Sequence, residues 1–405
     1  MASPQVTIAL NERVASMQPS ATLAMTARAN ALSREGKDII SLSAGEPDFD
    51  TPEAISQAGI QAIKDGYTNY TDNSGMADLR EAITEKLRTD NDLDYGSNQI
   101  LCSNGAKQSV ALGIHVLCGP GEEVLIPAPY WVSYPEMVRF AGAEPVVLPT
   151  EVDNGYRLTP EQLDSAINER TKLLVLCSPS NPTGTVYTPD ELQALVDVLQ
   201  NYPDVFVLSD EIYEYVVFDA THRSIASFPG MMERTITVNG FSKAYAMTGW
   251  RLGYMAAPEV IKKAAALVQG QLTSAPSSIS QKAGLKALEV GLEPVTPMVE
   301  AFRERRDYVL SQLNDIPGLR CSQPEGAFYL FPDVSDYIGT TTPVGTAISS
   351  SEDLCFYLLD EFEVALVQGE AFGMPYGLRL SYAASMDQLK EATARLKEGF
   401  ASLRD

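Results

Sequence analysis

The stretch Asn239-Gly-Phe-Ser-Lys243-Ala-Tyr-Ala-Met-Thr-Gly-Trp-Arg251-Leu-Gly-Tyr254 decides how this chain is read. It continues the apolar run Thr235–Val238, whose length and β-branched character suit a buried strand. The run ends in a turn that carries one lysine, and an arginine follows between Trp250 and Leu252-Gly253. A lysine among apolar residues with a second cation nearby loses its proton more easily, through desolvation and through repulsion. Such an amine is a nucleophile of the kind that forms Schiff bases. Taken alone, a lysine at a strand end is better explained as a side chain snorkelling to solvent, so its surroundings must decide.

On either side of that stretch, short apolar runs alternate with helical patterns. Glu123–Pro127, Val146–Leu148, Leu173–Cys177, Val205–Ser209, Thr235–Val238 and Tyr254–Ala257 read as strands. Ala106–Val116, opened by Ser103-Asn104-Gly105, and Pro189–Leu199, opened by Thr188, read as helices. Alternation of this kind implies parallel pairing in a layered α/β domain. From about Val295 the pattern changes to longer helices, Val299–Leu313 and Met386–Leu403, with short strand-like pieces at Ala327–Phe331 and Leu378–Tyr382. The expectation is a large domain over 46–294 with a mainly parallel sheet between helices, and a smaller α+β domain over 295–405 that the segment 1–45 joins. Gly339–Ser351, rich in small polar residues, reads as a mobile surface loop.

Composition narrows the function. Of 405 residues, 30 are Lys or Arg and 53 are Asp or Glu, a net charge of −23. That balance speaks against a nucleic-acid or anionic-membrane partner, because phosphate contacts need cations. It leaves small anionic substrates open, since a few buried cations act locally. Five widely spaced cysteines without a Cys-x-x-Cys pair, and only two histidines, fit a reducing cytoplasm and speak against a metal site. The segment Met1–Val6 lacks the basic and apolar stretches of a signal peptide, and no apolar run reaches membrane-spanning length. A cytoplasmic protein without membrane spans is expected.

Most candidate chemical residues fall just after strands, the edge at which open α/β sheets bind ligands. Asp210 ends the run Val205–Ser209, where a carboxylate would keep a pyridine nitrogen protonated and make the ring an electron sink. As an isolated residue it could equally cap the next turn. Asn104-Gly105-Ala106-Lys107 opens a helix, where free N–H groups favour an anion. Arg379 alternates with apolar residues in Gly377-Leu-Arg-Leu-Ser-Tyr382, so it lies on one face of a strand. There it could grip a carboxylate through two parallel hydrogen bonds or form a structural ion pair.

In chain order, Ser178-Pro-Ser-Asn181-Pro-Thr-Gly184, Asp210-x-x-Tyr213 and Ser242-Lys243-x7-Arg251-x-Gly253 resemble the cofactor segments of class I aminotransferases of fold type I. The resemblance runs from about Ser16 to Leu403. It implies a fold type I transferase dependent on pyridoxal 5′-phosphate. Lys243 would carry the cofactor and then shuttle a proton, and Asp210 would face the ring nitrogen. Asn181 and Tyr213 would bond the phenolic oxygen, and Trp131, in Pro129-Tyr-Trp131, would stack on the ring. Gly105, Ala106, Lys107, Ser242 and Arg251 would surround the phosphate, with Tyr70 reaching it from the other subunit of a homodimer. At Gly240 the chain departs from relatives that place a phosphate-binding serine there.

On the substrate side, Arg379 and the backbone of Gly45 would meet the α-carboxylate, with Trp131 and Asn181 close by. Thr22 and Lys107 resemble the positions that bind the distal carboxylate in the 1β branch of aspartate aminotransferases. Lys107 could instead serve the phosphate or solvent, and Thr22 could cap the helix that follows. The branch implies aspartate and 2-oxoglutarate as the substrate pair, with prephenate as an open further substrate. Alanine or aromatic amino acids are the alternative. A nucleotide-dependent oxidoreductase would carry Gly-x-Gly-x-x-Gly after an early strand, and none follows. A non-catalytic binding protein on the same fold would need neither Lys243 nor Arg379.

Overall fold

Val124 and Ile126 face one side of the central sheet and Leu125 the other, and Leu173 and Val175 alternate with Leu174 and Leu176 in the same way. Successive strand residues point to opposite faces, so apolar residues at every position demand cover on both. The helix Ala106–Leu117 supplies Val110 and Ile114 to one face. The helix Pro189–Leu199 supplies Leu192, Leu195 and Leu199 to the other. Thr188 caps that second helix, accepting from Glu191 N while the Glu191 carboxylate reaches back to Thr188 N. This reciprocal pair satisfies two donors that a helix start otherwise leaves free.

The structure, a computed structural model, describes residues 10–403. The reading of Met1–Val6 lies outside them. In chain order the strands are β1 (Ile40–Ser41), β2 (Ile100–Ser103), β3 (Glu123–Ala128), β4 (Glu144–Pro149), β5 (Thr171–Cys177), β6 (Phe206–Asp210), β7 (Thr235–Gly240), β8 (Gly253–Ala256), β9 (Tyr329–Leu330), β10 (Val364–Ala365), β11 (Val367–Gln368) and β12 (Leu378–Ser381). Seven of them form the central sheet in the order β2-β8-β7-β6-β5-β3-β4. Among the described residues, no helix is long and apolar enough to cross a membrane.

The expectation of parallel pairing holds from β7 to β4 and fails at β8, which runs antiparallel to both β7 and β2. A parallel return needs a crossover, usually helical, and residues 241–252 form turns without a helix, so the chain can only double back. The reversal matters for chemistry: Arg251, which precedes β8, is delivered to the same sheet edge as Lys243, which follows β7.

Two smaller sheets complete the fold. β11, β12 and β9 form an antiparallel sheet, with Ser381 opposite Tyr329 and Val367 opposite Arg379. β1 pairs in parallel with β10, so the early segment is stitched to the late one. The helices Thr296–Asn314 and Met386–Ala401 pack against each other beside these sheets. The loop expected over Gly339–Ser351 is instead a closed hairpin. Thr342 N–H donates to Thr346 O at 2.8 Å and Gly339 N–H to Ile348 O at 2.7 Å. Ser350 then caps the helix Ser351–Phe362. Its hydroxyl-rich composition is consumed in turn and cap hydrogen bonds, which is what small polar residues offer a backbone.

Gly253 is a point where this fold leaves no room for a side chain. A Cβ there would lie 2.3 Å from Ala106 N and 2.6 Å from Gly105 C, both backbone atoms that cannot move aside cheaply. Gly253→Ala should therefore lower the urea midpoint by the equivalent of about 1–3 kcal/mol, the usual cost of overpacking. Gly249→Ala, with nothing within 4 Å of its Cβ, should leave the midpoint unchanged. Equal midpoints for the two variants would contradict this account of the close approach.

Candidate active site

The carboxyl ends of the parallel strands open into a cavity of ≈ 460 Å³ lined by Lys107, Lys243, Arg251 and Arg379, with the carboxylates Glu46 and Asp210. Four cations against two anions make this a positive site in a chain whose net charge is −23. Low dielectric strengthens each of these interactions and makes each unpaired charge more costly.

One end of the cavity is shaped for an anion. The helix Ala106–Leu117 begins at Gly105 without a side-chain cap, so its first N–H groups have no side-chain partner. Gly105 has φ +80°, and a Cβ on it would lie 2.6 Å from Arg251 Nη2. Glycine is needed there for both conformation and space. Arg251 donates to Thr248 O at 2.9 Å and Asn104 O at 3.2 Å, which fixes the guanidinium beside the helix start. Ser242 is buried and lines the same cavity. Gly240 lies just outside, and a Cβ on it would approach Gly253 Cα to 2.9 Å. The close packing of β7 on β8 thus leaves no room for a side chain at this position.

Lys243 projects into the middle of the cavity, its Nζ bonded to Gly45 O. The amine lies 5.8 Å from the Tyr213 ring and 5.7 Å from the Phe328 ring. Burial pushes its pKa down to about 8, helped by repulsion from Arg379 and Arg251 and opposed by Glu46 and Asp210. Asp210 is 4% exposed. Its Oδ2 accepts from the Tyr134 hydroxyl at 2.7 Å and its Oδ1 from Ile212 N–H at 3.4 Å. Burial raises the carboxyl to about 6, against the pull of those donors and of Lys243. At neutral pH it is therefore predominantly an anion.

Arg379, 2% exposed, donates to Asn181 Oδ1 at 3.2 Å and Ser43 O at 2.6 Å. Its Nε is buried without a partner, a donor held ready for a ligand. The guanidinium sits 4.8 Å over the Tyr329 ring, and Tyr329 shares a 2.8 Å hydroxyl contact with Tyr213. Gly45 adjoins both, since a Cβ there would meet Tyr329 at 3.1 Å and Arg379 at 4.0 Å. In the same cavity Lys107 Nζ lies 4.9 Å over the Trp131 ring. Burial and Arg251 lower the pKa of this amine. Thr22 also lines the cavity, and its buried hydroxyl has no partner.

Of the residues singled out from sequence, Thr22, Gly45, Ala106, Lys107, Trp131, Asn181, Asp210, Tyr213, Ser242, Lys243, Arg251 and Arg379 line one cavity. Gly105 lies immediately behind Arg251. Tyr70 is not brought to it: its side chain is 98% exposed on the surface of this chain. Tyr134 and Tyr329 were missed. Tyr134 lies three positions beyond Trp131, and Tyr329 sits inside a piece read as a strand, so both carry signals of core packing.

Beneath Asp210, Glu211, Glu214 and His222 bring ligand atoms within 4.8 Å of one another. Each carboxylate oxygen already accepts from Ser209, Ser224, His222, Lys86 or Asn91. The carboxylates are thus satisfied within the network, while His222 Nδ1 is buried without a partner.

A layered α/β fold with a partly desolvated lysine, a buried carboxylate and an anion cradle at one strand edge defines an enzyme that works through a carbonyl cofactor. Residues 37–396 match the family described as aminotransferase class I and II, and the chain belongs to it. It is 51% identical to a bifunctional aspartate aminotransferase and glutamate/aspartate-prephenate aminotransferase of Petunia hybrida, covering 99% of this chain and 84% of that one. The solved aspartate aminotransferase of Rhizobium meliloti superposes with TM-score 0.95 at 44% identity, covering 98% and 100% of the two chains. That of Thermus thermophilus with maleate superposes with TM-score 0.91 at 40% identity, covering 97% and 100%.

The cofactor of this family is pyridoxal 5′-phosphate. The cavity fits it: an amine inclined to be neutral for the aldehyde, a buried carboxylate for the ring nitrogen, and a helix start beside Arg251 for the phosphate.

The lowered pKa of Lys243 has a measurable sign. Its neutral, reactive fraction should rise as pH passes through about 8, not through the ordinary lysine value near 10.4. Reductive methylation of the apoprotein with formaldehyde, read at Lys243 by peptide mass mapping, should show that inflection. Arg379→Gln, which removes a repelling cation, should move it upward. An inflection at the ordinary value would contradict this electrostatic account.

Proposed function

We propose that this chain is an aspartate aminotransferase, transferring the amino group of L-aspartate to 2-oxoglutarate in a ping-pong cycle. The observation that carries the reading is the presence of two sets of carboxylate-binding groups in the lining of one cavity. Arg379, with its unpartnered Nε, is one set, and Lys107 with the unpartnered Thr22 hydroxyl is the other. A monocarboxylic substrate would leave the second set without a partner, a costly arrangement in a partly desolvated site. Maleate, with which the Thermus thermophilus enzyme was solved, is a dicarboxylate, and the Petunia hybrida relative's name includes prephenate. Prephenate, also a dicarboxylate, is a second substrate consistent with the same two sets.

When bound, pyridoxal phosphate supplies a conjugated ring that spreads the electron pair left at the substrate α-carbon. The residues of this chain do the rest. Asp210 would hold the ring nitrogen's proton, and Asn181 and Tyr213 would serve the phenolic oxygen. Trp131 would stack on the ring, and Arg251, Ser242 and the helix start at Gly105, Ala106 and Lys107 would hold the phosphate, leaving the Lys107 side chain for the distal carboxylate. Arg379 fixes the α-carboxylate near Gly45 and Asn181, which presents the α-hydrogen toward Lys243. The Lys243 amine would accept that proton at Nζ and hand it back from the same side later in the cycle, a task suited to a base whose pKa lies near 8.

In this reading residues 46–294 form the cofactor-binding domain, and 295–405 with 1–45 form the smaller domain. The β1–β10 pairing supports that grouping. Tyr70, exposed on one copy, would complete the phosphate site of a second copy in a homodimer. Five free cysteines are consistent with a reducing cytoplasm.

Three variants test the proposal. Lys243→Ala should lower turnover by at least about a thousandfold, since general-base loss alone removes 10²–10⁴-fold and the same amine also holds the cofactor. Lys107→Ala and Thr22→Val should raise KM for aspartate and oxaloacetate about tenfold or more, with far smaller effects on alanine or phenylalanine. Steady-state kinetics over a donor and acceptor panel reads both outcomes. Equal losses on every donor, or a parent enzyme that prefers monocarboxylic donors, would overturn the substrate assignment.

A further inference from the structure

Asp210 presents a problem that its surroundings solve in one place. It is 4% exposed, and the anionic Glu211 is its neighbour in the chain. Among the described hydrogen bonds, its carboxylate receives one short donor, the Tyr134 hydroxyl at 2.7 Å, and one long one, Ile212 N–H at 3.4 Å. Lys243 adds a favourable charge and Glu211 an unfavourable one. The nearby Cys177 thiol, pushed up to about 12 by burial, is neutral and contributes no charge.

Tyr134 is held rigidly for this contact. It begins the helix Tyr134–Ala141, is 2% exposed, and packs edge-on against Trp131 with ring centroids 5.3 Å apart. Toward an ionised carboxylate a phenol can only donate, and burial keeps its own proton on by raising its pKa well above the usual value.

We propose that Tyr134 is a positioning residue that, by donating to Asp210 Oδ2, keeps the shared proton on the cofactor's ring nitrogen and off the carboxylate. The inference rests on the reading that Asp210 faces that nitrogen. The two groups share one proton, and its place depends on which is the stronger acceptor. Burial strengthens the carboxylate as an acceptor, bringing Asp210 to about 6 even with the Tyr134 bond in place. A hydrogen bond to the ionised form weakens it, by about ten- to a hundredfold in proton affinity for a charge-assisted bond. Without the hydroxyl the proton moves to Asp210, and the ring loses its positive charge.

The test is ¹⁵N NMR of the holoenzyme loaded with ring-¹⁵N pyridoxal phosphate, following the ring nitrogen's shift through a pH titration. In Tyr134→Phe the fraction of ring nitrogen that is protonated at neutral pH should fall, the ratio of the two proton positions changing about ten- to a hundredfold. In site-specific Tyr134→3-fluorotyrosine, a more acidic donor, that fraction should rise. Asp210→Asn should lower it sharply and serves as the control for the underlying reading. If Asp210→Asn leaves the titration unmoved, Asp210 does not face the nitrogen, and the proposal falls with that reading. If Asp210→Asn moves it and Tyr134→Phe does not, the proposal alone is overturned. Should Tyr134→Phe fail to fold or hold cofactor, the fluorotyrosine protein decides, and an unchanged titration there overturns the proposal equally.

Discussion

The contact between Gly253 and the Gly105–Ala106 peptide is the constraint on which the site depends. It lets β8 run between β2 and β7 with its first residue against a helix start, and that closeness needs a strand without a Cβ. From it follow the position of Arg251, the exposure of the helix N–H groups toward the cavity, and the short path from Lys243 back to the sheet. Glycine at 105, at 240 and at 253 belongs to one packing problem. The chain gives up side chains at the strand edge so that backbone and guanidinium can share the space.

Around that frame the electrostatics are arranged by burial more than by pairing. Lys243 and Asp210 both lose water, and desolvation moves them in opposite senses, the amine down to about 8 and the carboxyl up to about 6. Their titrations are drawn toward the neutral range, where a base and an acid are most useful to catalysis. The cations that surround the cavity repel one another, and the structure tolerates this because anionic ligands belong between them. The unpartnered Arg379 Nε and Thr22 hydroxyl express the same incompleteness at the level of single atoms.

Asp210 and Glu211 show how two adjacent buried carboxylates can serve different ends. Burial opposes the charge on Glu211, yet His222, Ser224 and Ser209 together hold it below the ordinary carboxylate range. Asp210 has fewer donors and rises instead. The difference lies in the larger number of donors to Glu211 and in the charge of His222 beside it, since both carboxylates are desolvated by burial.

Much of this protein was legible in its linear order. Apolar runs bounded by turns marked β3 to β8 to within a residue or two, because two-sided burial leaves near-continuous apolar strands. Local motifs also carried Lys243, Asp210, Asn181, Arg251 and Arg379, since each leaves or occupies a strand next to glycine, proline or serine. Periodicity could not reveal the direction of β8. Apolar alternation is the same for either sense, and the absence of a crossover helix decided it. Tyr134 and Tyr329 were hidden for a similar reason: an aromatic residue that packs in a core and one that places its hydroxyl on a functional group look alike in sequence. The short strands β1 and β10 carried too few residues to show a period, and only their mutual pairing defines them. Residue types and local spacing thus determined which chemistry the chain could perform. Long-range packing decided which groups meet, because contact between positions such as Arg379 and Ser43 depends on how the sheets stack and leaves no local trace.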